Sequence, residues 1–181
     1  MQLYLSQLAS PLGALTLVAD EQQRVRTLEI GDRQGRLHRH LREQYGTYEL
    51  LDADAPVAVE AAIARYFAGA LEALDDIAVV TGGSEPQRRA WAALRSIPAG
   101  RTATYAEIGQ AMGIDDWRAS VDAGAAVGAN PVALIVPCHR VIGANGDLKG
   151  FAWGLQRKRW LLEHERAIKP PEALPRTAPL F

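Results

Sequence analysis

Residues 104–131 read TYAEIGQAMGIDDWRASVDAGAAVGANP, and the parsing of this stretch decides what the chain folds into. TYAEIGQAMG has the pattern of a short helix closed by Gly113, IDD is turn-like, and WRASVDAGAAVGAN is an Ala-rich second helix ended by Asn130 and Pro131. Two short helices across a tight turn suggest a helix-turn-helix, although pattern alone does not separate it from a plain αα-hairpin packed in a core. Upstream, Ser84, Pro86 and Gln87 form a helix start, with a Ser cap, a Pro in the first turn and a Gln three residues after the cap. That helix should run to about Ser96, where IPAGR ends it. Downstream, LQRKRWLLEHERA (155–167) is an amphipathic helix, and KPPEALPRTAPLF (169–181) is a Pro-rich tail with too few apolar residues to fold by itself.

The first half has a different texture. YLSQLASPLGALTLVADEQQRVRTLEIGD (4–32) alternates apolar and polar residues around SPLG and DEQQ, as short antiparallel strands joined by turns do. DAPVAVEAAIARYFAGALEAL (54–74) carries Val59, Ile63, Tyr66 and Phe67 at helical spacing, so a helix should pack on that sheet before the strand-like DIAVV (76–80). His38 and His40 in GRLHRHLREQ (35–44) are two apart, which suits neither face of a helix for joint metal ligation, and both are expected to be solvated. The expected fold is α+β. A small N-terminal antiparallel sheet with a packed helix (1–83) meets the mostly helical domain (84–167) near TGGSEP, and a flexible tail (168–181) follows.

Composition bounds the function. At 181 residues and 48% hydrophobic, the chain can bury a substantial core. Twenty Lys and Arg against 21 Asp and Glu give a net charge of -1, so no global field draws it to nucleic acid, and a polyanion would have to meet a local basic patch. A single cysteine excludes an internal disulfide and any Cys-rich zinc site, as expected of a cytoplasmic protein. No apolar run approaches the roughly 18 residues that span a bilayer, and MQLYLSQLAS lacks the basic start of a signal peptide.

That one cysteine, Cys138, lies in LIVPCHRVIGANG (134–146), directly before His139. A thiol attacks only as its thiolate, and an unperturbed pKa of about 8.5 leaves a few per cent ionised near neutrality, so it needs a base. Adjacent residues on an extended chain point in opposite directions, so His139 can serve Cys138 only if the backbone turns, and Pro137 makes such a bend plausible. A lone Cys is more often a buried small hydrophobe, and adjacency alone decides nothing. Glu165 shifts the balance. It follows Leu161 by four and Leu162 by three, so its carboxylate should border the apolar face of the last helix, and a buried carboxylate needs a partner such as an imidazolium. Glu165 would then orient His139, and His139 would take the thiol proton; a cysteine hydrolase could use the same relay.

At this point the residues converge on a family. QRRAWAALRSIPAGRTATYAEIGQAMG, ANPVALIVPCHRVIGANGDLKGF and RKRWLLEHE follow one another in the order and spacing of the O6-alkylguanine-DNA alkyltransferases, which the chain resembles over about residues 84–166. SPLGALTL and ARYFAGAL match more loosely, as that family's variable, ribonuclease H-like N-terminal domain would.

The resemblance implies direct-reversal repair without a cofactor. Cys138 would take the alkyl group from O6 of a damaged guanine in double-stranded DNA, and each monomer would act once. His139 would act through a water as base, held by Glu165. Tyr105 would donate a proton to the leaving guanine, and Asn130 would brace the turn before the nucleophile. Backbone groups around Cys138, Val141 and Ala152 would read the base edge, Phe151 would wall the pocket, and Pro137 and Arg140 would border it. Arg118, Ser120, Val121 and Ala129 would face DNA. Relatives flip the base out and fill its place with an Arg at the start of the second helix of the helix-turn-helix; here Val121 stands at that position, with Asp122 beside it. Arg118 could substitute only if the helix is reset, and Pro86 stands where relatives usually carry Phe. Two readings follow: a repair alkyltransferase with unusual groove contacts, or a self-labelling module on small O6-substituted guanines with weakened DNA binding.

Overall fold

The computed structural model describes residues 1–170; most of the expected tail lies outside the described residues. Strands β1 (Gln2–Leu8), β2 (Leu15–Ala19) and β3 (Val25–Ile30) form an antiparallel meander. Its first turn, SPLG, closes through Ser10 Oγ, which accepts from Leu12 N and donates to the Gly13 carbonyl. In the second, DEQQ, Asp20 Oδ1 accepts from the N–H groups of Gln22 and Arg24, a side chain imitating a backbone turn.

Three features depart from the sequence reading. Helix α1 (Gln34–Tyr45) and strand β4 (Glu49–Asp52) follow β3, and β4 pairs parallel with β1, giving a mixed sheet of order β3-β2-β1-β4. DIAVV is not a strand: only Val79 bridges to Val25. His40 is not solvated either; α1 lies against the sheet and buries it beside Glu29 of β3, with 3.8 Å from Nδ1 to Oε1.

Strand β2 is buried along its whole length because both faces are covered. Val18 meets Leu37 and Leu41 of α1 together with Leu3. Leu15 and Leu17 point the other way, into a core shared with helix α2 (Val57–Phe67) and the C-terminal half. Val59, Ile63 and Tyr66 of α2, Leu134 to Val136, Trp153 and Leu161 meet in this core. Each fully buried Leu there contributes about 1.5–3 kcal/mol.

Helix α3 (Glu85–Arg95) begins at the Ser84–Gln87 capping box, and α4 (Tyr105–Ala111) begins at a second one, Thr104–Glu107. Gly113, at φ 85°, ends the α4 segment, and α5 (Ala119–Gly128) crosses close to α4. A Cβ on Gly109 would run into the Ala119 backbone, so glycine sets this approach. After α5 the chain docks on the free edge of β3: Leu28 N–H donates to the Pro131 carbonyl and Ala133 N–H to the Leu28 carbonyl. A 3₁₀ turn (Cys138–Arg140), the short parallel pair β5 (Ala103–Thr104) with β6 (Val141–Ile142), and α6 (Leu155–His164) complete the fold. Among the described residues, no helix is long and apolar enough to cross a membrane.

Candidate active site

Two devices present Cys138. Asn130, fully buried, donates through Nδ2 to the Val136 carbonyl (2.8 Å) and to the Val132 carbonyl (3.3 Å), and its Oδ1 accepts from Val132 N–H, so it braces residues 130–136 from within. Pro137 then turns the chain into the 3₁₀ segment. That turn separates Cys138, which lines a cavity, from His139 and Arg140, which both reach Glu165.

Cys138 faces a cavity of about 230 Å³ lined by Tyr105, Gly124, Val127, Gly128, Phe151 and Ala152. Phe151 is held edge-on by Trp153, 5.1 Å between ring centres. Burial pushes the Cys138 thiol up, and the Asn130 side chain, Lys158 and Arg36 only partly oppose it, so the resting sulfur carries its proton. Burial likewise raises Tyr105, helped by the negative charge that Cys138 and Asp147 can carry, so its hydroxyl stays a donor.

His139 and Arg140 turn inward to Glu165, the residue that caps α6. Glu165 Oε1 accepts from Tyr66 Oη (2.7 Å), His139 Nε2 (2.8 Å) and Arg140 Nη2 (2.9 Å), and Oε2 accepts from Arg140 Nε (2.9 Å). Burial alone would raise Glu165, but the hydrogen bonds from His139 and Arg140 and the charge of Arg140 outweigh it and hold the carboxyl well below the usual carboxylate range. An ionised carboxylate only accepts, so Nε2 of His139 carries the proton and Nδ1 has the free lone pair. Nδ1 is buried with no hydrogen-bond partner in the protein. Burial lowers the His139 pKa, with Arg140 and Lys158 adding to that and Glu165 opposing it, so the ring rests neutral. The arrangement is a protonated thiol beside a neutral imidazole whose basic nitrogen is unengaged.

The remaining expected residues are placed unequally. Arg140 and Pro137 do not border the cavity. Arg140 is buried behind it, its guanidinium held by Glu165 and by the Ile97 carbonyl (2.6 Å), while Pro137 lies in the buried turn with its carbonyl bonded to Arg140 N–H. Val141 is also fully buried outside the cavity wall; its N–H bonds the Cys138 carbonyl and its carbonyl accepts from Lys158, which leaves one lone pair on that oxygen. Ser120 and Val121 are exposed on α5. Ala129 is not beside them: it caps α5 on the side of His40 and Trp91. Arg118 is exposed, but its guanidinium is paired with Asp116 at 2.8 Å.

Sequence reasoning passed over Lys158. This fully buried ammonium donates to the carbonyls of Val141 (2.6 Å), Leu148 (2.5 Å) and Gly150 (3.1 Å), fastening the loop that carries Phe151; burial lowers its pKa to about 8. The signal was the one that found Glu165, since Lys158 precedes Leu161 by three and Leu162 by four. Glu29, Arg36 and Trp153 were also passed over. Glu29 accepts from Trp153 Nε1 (2.6 Å) and Arg36 Nη1 (2.7 Å), and Arg36 also donates to the Asn130 carbonyl (2.9 Å) and lies over the Trp153 ring.

Comparison with known proteins agrees with this geometry. Residues 3–80 match the ribonuclease-like domain of 6-O-methylguanine DNA methyltransferase, and residues 85–167 match its DNA binding domain. The chain is 42% identical over 167 residues to the methylated-DNA–protein-cysteine methyltransferase of Salmonella typhimurium, covering 91% of this chain and 96% of that one. It is 38% identical over 163 residues to the protein of that name from Methanosarcina acetivorans, covering 90% and 98%. The crystal structure of Mycobacterium tuberculosis OGT in complex with DNA superposes with a TM-score of 0.73 at 34% identity, over 92% of this chain and 94% of that one. With both family domains matched in order along the chain and the cysteine at the floor of a base-sized cavity, the protein belongs to the 6-O-methylguanine DNA methyltransferase family.

Proposed function

We propose that the chain repairs DNA by moving the alkyl group from O6 of an alkylated guanine onto Cys138. The observation that carries this is Cys138 lining the cavity while its chain neighbour His139 is held by Glu165. The thiol proton passes to His139 Nδ1 through a water, and Glu165 stabilises the imidazolium that forms. Sulfur then attacks the alkyl carbon in line with the C–O6 bond. The S–C bond forms, the C–O6 pair returns to the purine, and Tyr105 gives the ring its phenolic proton. The thioether is stable, and no second cysteine exists to release it, so each molecule acts once.

A stacked base cannot reach the cavity, so α5 must engage the duplex while the nucleotide turns out, at a cost of a few kcal/mol. A free O6-substituted guanine carries the same reacting bond with no duplex to part, and we propose such small molecules as a second substrate class. A thiol kept for one use fits a reducing cytoplasm. Intact-protein mass spectrometry after equal offers of duplex DNA bearing O6-methylguanine and free O6-benzylguanine tests these points. A methyl adduct absent from Cys138→Ala establishes repair. A benzyl adduct alone favours the reading in which transfer is kept and duplex engagement lost, which Val121, Asp122 and the paired Arg118 motivate. No adduct on Cys138 with either substrate overturns the proposal.

A further inference from the structure

Turning a nucleotide out of a duplex leaves a gap that a side chain must fill, and the residues at the start of α5 are unusual for the task. Val121 is 65% exposed but reaches only two carbons past its Cα, and Asp122 beside it repels phosphate. The one cation there, Arg118, is turned back onto Asp116, which also accepts from Arg118 N–H (2.8 Å) and so fixes the turn. That turn presents Trp117, which at 82% is the most exposed large apolar side chain among the described residues.

Trp117 stands at the entry to α5, the helix that borders the site. Trp117 lies in the turn two residues before α5, and Val121, Gly124 and Gly128 recur along that helix at spacings of three and four, the repeat of one face. Val121 and Gly124 border an apolar groove with Tyr105 and Lys149, and Gly124 and Gly128 border the Cys138 cavity, so Tyr105 and Gly124 belong to both hollows. This face of α5 therefore runs from the groove to the nucleophile along the surface that a flipped base must cross, and the exposed indole stands in the turn that leads into it. An indole is large enough to replace a base in the stack, and apolar and aromatic side chains part and stack on bases elsewhere in DNA recognition.

We propose that Trp117, supported by Val121 one turn on, is the wedge that enters the base stack of duplex DNA and fills the place of the extruded nucleotide. This rests on the reading that Cys138 takes its alkyl group from a flipped guanine. Because Trp117 touches solvent rather than core, Trp117→Ala should fold normally. Transfer from duplex O6-methylguanine should fall by about tenfold or more in that variant, the scale of a lost base–aromatic stack. Transfer from free O6-benzylguanine should stay within about twofold, since no stack is parted there. Trp117→Phe should keep most of the duplex rate. A 2-aminopurine beside the lesion, brighter when unstacked, reads the wedge without transfer: wild type should brighten it and Trp117→Ala should not. An unchanged duplex rate in Trp117→Ala, or equal losses on duplex and free base, overturns the wedge. Wild type that labels Cys138 with neither substrate overturns the transfer reading instead, and the 2-aminopurine signal then still decides the wedge.

Discussion

At Glu165 a single carboxylate accepts four hydrogen bonds from three side chains, and two of those donors come from the turn that carries the nucleophile. Its charge is matched by Arg140, which lets His139 remain neutral and basic although it is buried. Glu165→Gln keeps the shape but leaves the Arg140 guanidinium buried without its anion, a loss of about 3–5 kcal/mol by the usual cost of halving a buried pair. Urea unfolding should show that loss, and transfer to Cys138 should slow even where the variant remains folded. His40 makes a separate prediction. Burial first, then Arg36 and Arg39, lowers its pKa from 6.5 to about 4, so the folded chain resists a proton that the unfolded chain accepts. The sign follows: a depressed pKa means stability present above pH 6.5 and lost as pH falls toward 4. The slope for one such group is about 1.4 kcal/mol per pH unit, and unfolding measured across that window should be shallower in His40→Gln by about one proton.

The helix-turn-helix depends on one contact at the level of elements, Gly109 of α4 against the backbone of Ala119 at the start of α5. Gly109→Ala must push the two helices apart. Overpacking of this kind costs about 1–3 kcal/mol, and here the displaced element is the one proposed to engage the duplex. Duplex binding, followed by fluorescence anisotropy, should therefore weaken in the variant, while transfer from free O6-benzylguanine should suffer less. The helices of this half were legible in the sequence because their signals are local: the Ser84–Gln87 box, Gly113, and Asn130 with Pro131. Helix α1 lacked such a signal, for its N-cap Arg33 makes no side-chain capping bond, and so His40 seemed solvated. Strand β4 was hidden because its pairing with β1 is parallel and some 47 residues distant in the chain, which no local alternation encodes. Glu165 could be read as inward from its phase on α6, but the direction of Arg140 could not. That depends on a 3₁₀ turn that sets Cys138 at the cavity and lets both His139 and Arg140 reach Glu165.

Seen as a whole, the molecule binds its two halves through polar contacts that end at the site. Tyr66 of α2 reaches Glu165, Glu29 of β3 holds Trp153 behind Phe151, and Arg36 of α1 holds the Gly128 and Asn130 carbonyls at the end of α5. The sheet half thus fixes both the carboxylate that holds His139 and one wall of the cavity. Its surface charge contributes far less to DNA binding. A net charge of -1 supplies no long-range attraction, and two cations near the groove, Arg118 and Lys149, are already paired with Asp116 and Asp147. A duplex held through few phosphate contacts and through what enters the stack should show a logarithm of binding that falls only gently with that of salt. Each phosphate contact contributes a slope of about -0.9. Val121→Arg restores a cation at the exposed start of α5 without touching the core. It should steepen the salt slope by about one contact and raise the transfer rate on duplex DNA while leaving the rate on free O6-benzylguanine unchanged. Equal gains on both substrates would mean that position 121 acts on the cavity, and that α5 does not govern access from the duplex.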